Sequence, residues 1–229
     1  MWAITRKQKI MIGWVTWSIV GVLLFTYHRL FTIATTGDQT FMVLEPQKSV
    51  RMRVYSLYGH ELEFDMAFSH VPGDNRMAEL GDSTTSSLPG ESPIFENLGK
   101  RIVCTVSVNG GPPATLEALP ADASGESAIY RSLSRDRPGP DRRWHRPQDV
   151  LPMTVSRGWN NIVVTISDVD PSLAGERVVL ETPPPLTFMA SWASYEWLWP
   201  GFLIFPLVYP IYAGIGLIMA GWTWRVARA

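Results

Sequence analysis

Chemistry in this chain would have to start from four histidines, one cysteine and a few paired carboxylates. The histidines are His28, His60, His70 and His145. No His-x-x-x-His or Cys-x-x-Cys spacing occurs, so the sequence holds no recognisable metal-ligand pattern. His60 and His70 read as residues on one face of a strand, where ten residues at ~3.3 Å each hold them about 33 Å apart. Cys104 falls in the apolar phase of an alternating run and reads as a small core residue rather than a nucleophile. A single cysteine also excludes an intramolecular disulfide. Glu61 and Glu63 alternate with apolar residues, as surface carboxylates of a strand do, and do not form an acid–base pair. No Gly-x-Ser-x-Gly elbow, P-loop or dinucleotide fingerprint is present. The expectation is a protein that is not an enzyme. His28, beside Arg29 at the end of a long apolar run, is the one side chain with cofactor chemistry: a neutral imidazole there could ligate the metal of a tetrapyrrole. The competing reading places His28 at a membrane interface, with Arg29 reaching lipid phosphates. No cofactor is expected beyond contact with lipid or pigment.

The elements that must position these residues are set by charge segregation. The chain has 229 residues, 20 Lys plus Arg against 21 Asp plus Glu, and a net charge of −1, which does not suit a basic nucleic-acid binder. Charged residues are only 18% of the total, below the ~25% usual for soluble domains. They are unevenly spread. Ile10 to Tyr27 and Trp197 to Trp224 carry no charge at all, and each is long enough to cross a ~30 Å hydrocarbon core as a helix. The predicted organisation is a cytoplasmic N-terminus (1–9), a transmembrane helix (10–34), an extracytoplasmic domain (35–195), a second transmembrane helix (196–224) and a cytoplasmic C-terminus (225–229). Arg6, Lys7 and Lys9 precede the first span, and Arg225 and Arg228 close the second. The positive-inside rule therefore puts both ends in the cytoplasm and the middle outside an inner membrane. A cleaved signal peptide, with Thr32 and Ala34 as its cleavage pair, is the rival for the first span, but the apolar run is too long for one.

Trp197 and Trp199 at one end of the second span and Trp222 and Trp224 at the other have the pattern of aromatic belts at the two membrane interfaces. Pro206 and Pro210 remove helical N–H donors in its outer half, so the freed carbonyls should turn toward protein. Gly214, Gly216 and Ala220 permit close helix approach, and Gly13 and Gly21 mark the first span as the nearest partner.

Between the spans, period-two alternation dominates. It runs through Val50, Met52 and Val54; Leu62, Phe64, Met66 and Phe68; Ile102, Cys104, Val106 and Val108; and Ile162, Val164 and Ile166. Shorter candidates lie at 41–44, 114–119, 150–155 and 178–180. The predicted fold is therefore a membrane protein in which two transmembrane α-helices flank one all-β, sandwich- or jelly-roll-like domain. A first hairpin is predicted between 48–56 and 61–69, with a three-residue turn holding Gly59 in a left-handed conformation and Arg53 facing Glu63 or Asp65. Residues 82–93 and 120–126 read as loops. Residues 131–149 read as one long Arg-rich loop, in which Arg142, Arg143, Trp144 and Arg146 are candidate contacts to a partner or to lipid phosphates.

The segment 157–166 (Arg-Gly-Trp-Asn-Asn-Ile-Val-Val-Thr-Ile) resembles the late strands of carbohydrate-binding or galactose-binding-like sandwiches, and 106–111 (Val-Ser-Val-Asn-Gly-Gly) is similar. The resemblance is generic to extracellular sandwiches, carries over no sugar-binding residue and does not give a function, and Trp159 reads as a core or turn anchor. Two functions follow. The first is a non-catalytic accessory subunit of a bacterial-type membrane complex, for example photosynthetic or respiratory, with other membrane subunits and the bilayer as partners. The alternative is a membrane-anchored exterior module that binds glycan or another envelope ligand.

Overall fold

The computed structural model describes residues 5–71, 76–84, 94–121, 128–134, 153–188 and 192–228. Two compact units emerge: residues 1–35 with 185–229, and residues 36–184. The β-unit thus ends at Pro184, and the stretch 185–195 groups with the helices.

The helical unit holds α1 (Arg6–Thr35), a 3-10 helix (Ala193–Leu198) and a long C-terminal helix (Gly201–Arg228). Helix α1 opens on a capping box: the Thr5 N–H donates to Gln8 Oε1 (2.8 Å) and the Gln8 N–H donates to Thr5 Oγ1 (3.3 Å). Arg225 and Arg228 occupy the last turn of the C-terminal helix, where positive charge meets the negative end of the helix dipole. That helix is continuous through Pro206 and Pro210. Pro200 lies just before it, and its carbonyl accepts from the Ile204 N–H at 2.8 Å. Both helices are long and apolar enough to cross a membrane. None of the apolar window of α1 is buried, and only 11% of that of the C-terminal helix. The core helix of a globular domain is mostly covered, and these two are not.

The second unit consists of β1 (Asp38–Val43), β2 (Ser49–Ser56), β3 (His60–Leu62), β4 (Asp65–Ser69), the short α2 (Met77–Leu80), β5 (Asp82–Thr84), β6 (Ile94–Asn97), β7 (Ile102–Val108), β8 (Ala114–Pro120), β9 (Ala128–Ser134), β10 (Met153–Val155), β11 (Gly158–Val169) and β12 (Arg177–Thr182). The C-terminal helix is α3. Eight strands form one antiparallel sheet in the order β1-β12-β4-β9-β8-β7-β11-β2, with two small ribbons, β10-β3 and β5-β6. The end strands β1 and β2 approach each other, so the sheet wraps around its own core in a barrel- or sandwich-like domain. The core is the inward phase of each strand: Met52 and Val54, Met66 and Phe68, Cys104 and Val106, Ile162, Val164 and Ile166, Val178 and Leu180. The alternation expected from the sequence is therefore the alternation observed.

Three expectations are overturned. Strand β2 does not pair with the strand that follows it. It pairs with β11 (Tyr55 opposite Trp159, Arg53 opposite Asn161), β3 pairs with β10, and β4 lies between β12 and β9. Gly59 is not in the left-handed region. An alternating strand fits any antiparallel partner with an apolar face, and the twelve residues of β11 offer β2 a longer one. The break between β3 and β4 also removes the straight 61–69 strand on which the separation of His60 and His70 was reckoned. Finally, residues 131–134, expected to begin the long loop, belong to a strand (Ala128–Ser134) at the centre of the sheet. Its inward residues are Ile129 and Arg131. The arginine in the buried phase hid the alternation.

Candidate functional site

The helix pair is antiparallel and held by aromatic side chains reaching across it. Trp14 Nε1 donates to Thr223 Oγ1 (3.0 Å) near one end. Midway, Trp17 stacks on Tyr212 at a centroid separation of 4.5 Å. Trp17 Nε1 donates to the Tyr212 carbonyl (3.2 Å), and the Tyr212 hydroxyl donates back to the Trp17 carbonyl (3.0 Å). At the other end the Tyr27 hydroxyl donates to the Trp197 carbonyl at 3.2 Å. The indole and phenol donors thus find their acceptors inside the pair.

The glycines divide cleanly. A Cβ on Gly13 would come within 3.2 Å of Met219, one on Gly216 within 2.9 Å of the Trp17 ring, and one on Gly21 would collide with the Tyr212 hydroxyl. These three sit where α1 and α3 touch. Gly214 has nothing within 4 Å and Ala220 is exposed, so neither packs against α1. Pro206 and Pro210 are exposed as well. Trp197, Trp222 and Trp224 are exposed, and Trp199 is half-buried with its Nε1 donating to the Phe188 carbonyl (3.1 Å).

His28 packs edge-on to Phe205 (4.7 Å) and Tyr209 (5.5 Å). Its Nδ1 is buried and has no hydrogen-bond partner among the described residues. Arg142, Arg143, Trp144 and Arg146 lie outside the described residues.

In the β-unit the polar groups of highest burial are tied to backbone. Arg131 is 1% exposed. Its guanidinium donates to the carbonyls of Lys100 (2.7 Å), Leu98 (3.1 Å) and Ala118, gathering the chain ahead of β7 against β8. Burial lowers its pKa to about 10, partly offset by the Glu117 charge, so it stays charged at neutral pH. The same strip accommodates a close backbone approach. Gly81 and Gly99 both have positive φ, and a Cβ on Gly99 would collide with the Leu80 backbone. Cys104 is buried, and burial pushes its thiol up to about 12, the opposite of what a nucleophile needs.

Asn160 is 0% exposed. Its Oδ1 accepts from Asn109 Nδ2 (2.8 Å) and from the Ser156 N–H (3.0 Å), and its Nδ2 donates to the Ser156 (2.8 Å) and Gly158 (3.0 Å) carbonyls. The Asn–Gly segments that prompted the likeness to carbohydrate-binding sandwiches thus meet at neighbouring strands, where Asn160 and Asn109 are committed to turn geometry. Neither amide is free for a ligand.

Trp159, by contrast, lies on the outer face and is 61% exposed, which corrects its expected role as an anchor. It stands edge-on to the exposed Tyr55 at 5.1 Å, and the Arg53 guanidinium lies over its ring at 4.9 Å. Tyr55 and Trp159 occupy the polar phase of two strands that pair. That phase is the sequence signal that could have singled them out, but the pairing was needed to bring them together. Among the described residues no group of three or more His, Cys, Asp or Glu side chains could hold a metal. Comparison of the chain with protein-family models, with characterised proteins and with solved structures finds no match.

Proposed function

We propose that this protein is a non-catalytic accessory subunit of a larger membrane complex. In this reading the two helices cross an inner membrane with both termini in the cytoplasm, and the β-unit stands outside. The antiparallel helix pair supports the topology, since Arg6, Lys7 and Lys9 share one end of it with Arg225 and Arg228.

One observation carries the reading. Pro206, Pro210, Gly214, Leu217 and Ala220 recur at helical spacing on a side of α3 that does not contact α1. The prolines deprive the Phe202 and Pro206 carbonyls of their helical donors, and the small residues admit a close neighbour. In hydrocarbon such a face is best covered by another helix, so the subunit would clamp a neighbour there. Gentle detergent extraction followed by native mass measurement tests this. Co-migration with other membrane proteins is expected, and a lone 25.7 kDa species would overturn the proposal.

A second reading, an exterior module that binds glycan or another envelope ligand, is favoured by the exposed Tyr55, Trp159 and Arg53. It predicts ligand binding by the full chain with no second protein present.

A further inference from the structure

The outer face of β2 and β11 is chemically one-sided. Its rows, in register, are Tyr55 with Trp159, Arg53 with Asn161, Arg51 with Val163, and Ser49 with Thr165. At one end are the two exposed aromatic rings; at the other the Ser49 and Thr165 hydroxyls share a 2.8 Å hydrogen bond. Between them stand Arg51 and Arg53. Among the described residues no carboxylate pairs with either arginine, and the facing positions of β11 carry no acid. Arg53 instead rests on the indole.

Exposed tryptophan at the polar phase of a strand has a cost in water and gains nothing from the core. Here Tyr55 stands edge-on to it and the Arg53 guanidinium lies near its ring, while 61% of the residue stays exposed. An indole beside guanidinium groups that no carboxylate among the described residues engages presents an apolar plate for ring C–H groups next to donors that match a carboxylate in bidentate fashion. The face is an open strip, about 20 Å long at ~3.4 Å per residue, edged by hydroxyls and an amide. β2 ends the sheet, but the groups gathered here are side chains on its face rather than the backbone groups of its edge that an added peptide strand would use. A linear polymer of hydroxylated, negatively charged rings satisfies all of these features.

We propose that the Tyr55–Trp159–Arg53 face of the β-unit is a binding site for an anionic polysaccharide, with a sugar ring stacked on Trp159 and its carboxylate paired with Arg53 and Arg51. This rests on the second reading above and gives it a site and a ligand class.

The test uses the full chain in nanodiscs of neutral lipid, titrated with polygalacturonate, neutral dextran and polyglutamate. The variants are Trp159→Ala and Arg53→Gln, with the exposed Arg101→Gln as control. All three positions are at the surface, and continued unreactivity of the buried Cys104 verifies folding. Expected are salt-sensitive binding of polygalacturonate, weaker binding of dextran and of polyglutamate, and a loss of about tenfold in each site variant, the equivalent of one stacking or charged contact. The control variant should bind as the unaltered protein does. If Trp159→Ala binds polygalacturonate undiminished, the site is wrong while the module reading survives. If the unaltered protein binds no polygalacturonate, this proposal falls while the module reading, which admits other envelope ligands, stands. If polyglutamate binds as tightly as polygalacturonate, the face recognises acidic peptide and the saccharide assignment is overturned.

Discussion

Arg131→Met should loosen the β-unit severely while leaving the helix pair intact. The guanidinium makes three bonds to carbonyls from Leu98, Lys100 and Ala118. Hydrogen bonds from a charged donor contribute roughly 1.5–3 kcal/mol each. Against this stands the desolvation that brings its pKa down to about 10, a penalty on the order of 3 kcal/mol. Methionine fills the volume but leaves three buried acceptors without donors, so the net loss is about 3 kcal/mol. Cys104 provides the assay. It is the chain's one cysteine and is fully buried, so a thiol reagent can reach it only when the sheet opens. The rate of modification therefore reports the opening equilibrium, and a loss of about 3 kcal/mol raises that rate by about 150-fold. The arginine's charge also lowers the thiol pKa in the folded state, so removing it makes the closed form less reactive. Faster labelling can then come only from opening. Arg131→Lys, which keeps the charge but not the fork of donors, should fall between the two. Labelling of Arg131→Met within threefold of the unaltered protein would refute the account of Arg131 as the pin of this sheet.

Two further outcomes follow from the same packing. Gly216→Leu should drive Trp17 off Tyr212 and lower the temperature at which the helix pair separates in detergent, whereas Gly214→Leu, with open space around it, should leave that temperature unchanged; tryptophan fluorescence on heating distinguishes them. Asp65 and Glu181 stand directly opposite each other on β4 and β12. Burial raises both pKa values, partly offset at Asp65 by the Ser132 hydroxyl and reinforced at Glu181 by the Asp65 charge. A carboxyl raised by folding favours the folded state fully below its unfolded pKa and loses that contribution as pH rises through the folded value. Glu181→Gln should therefore stabilise the β-unit by roughly 0.2–1 kcal/mol at neutral pH and have little effect near pH 4. Circular-dichroism melts across that range measure it, and an identical pH dependence in the variant would remove the pairing as its cause.

Much of the fold was legible because it depends on local periodicity. The charge-free runs marked two helices long enough to span a bilayer, and a helix satisfies its own backbone wherever it lies. Period-two alternation marked the strands at 50–54, 102–108 and 162–166, because a half-buried strand must bury every second residue. Those same patterns carry no information about partners. Nothing local distinguishes a turn to 61–69 from a ladder with β11, more than a hundred residues away, and tertiary pairing chose the latter.

The two residues whose roles changed most illustrate the physical reason. Arg131 read as part of an exposed loop because a cation in the buried phase of a strand is prohibitive unless acceptors surround it. The acceptors exist, but they come from Leu98, Lys100 and Ala118, which no spacing rule connects to it. Trp159 read as an anchor because large aromatic residues are usually buried, yet its neighbours Asn160 and Ile162 hold the inward phase and leave it outside. Composition and periodicity thus determined which segments are apolar helices and which are strands. Which strand meets which, and so where the buried cation finds its carbonyls and where the exposed aromatic pair is assembled, depended on contacts between distant segments, and only the tertiary structure decided it.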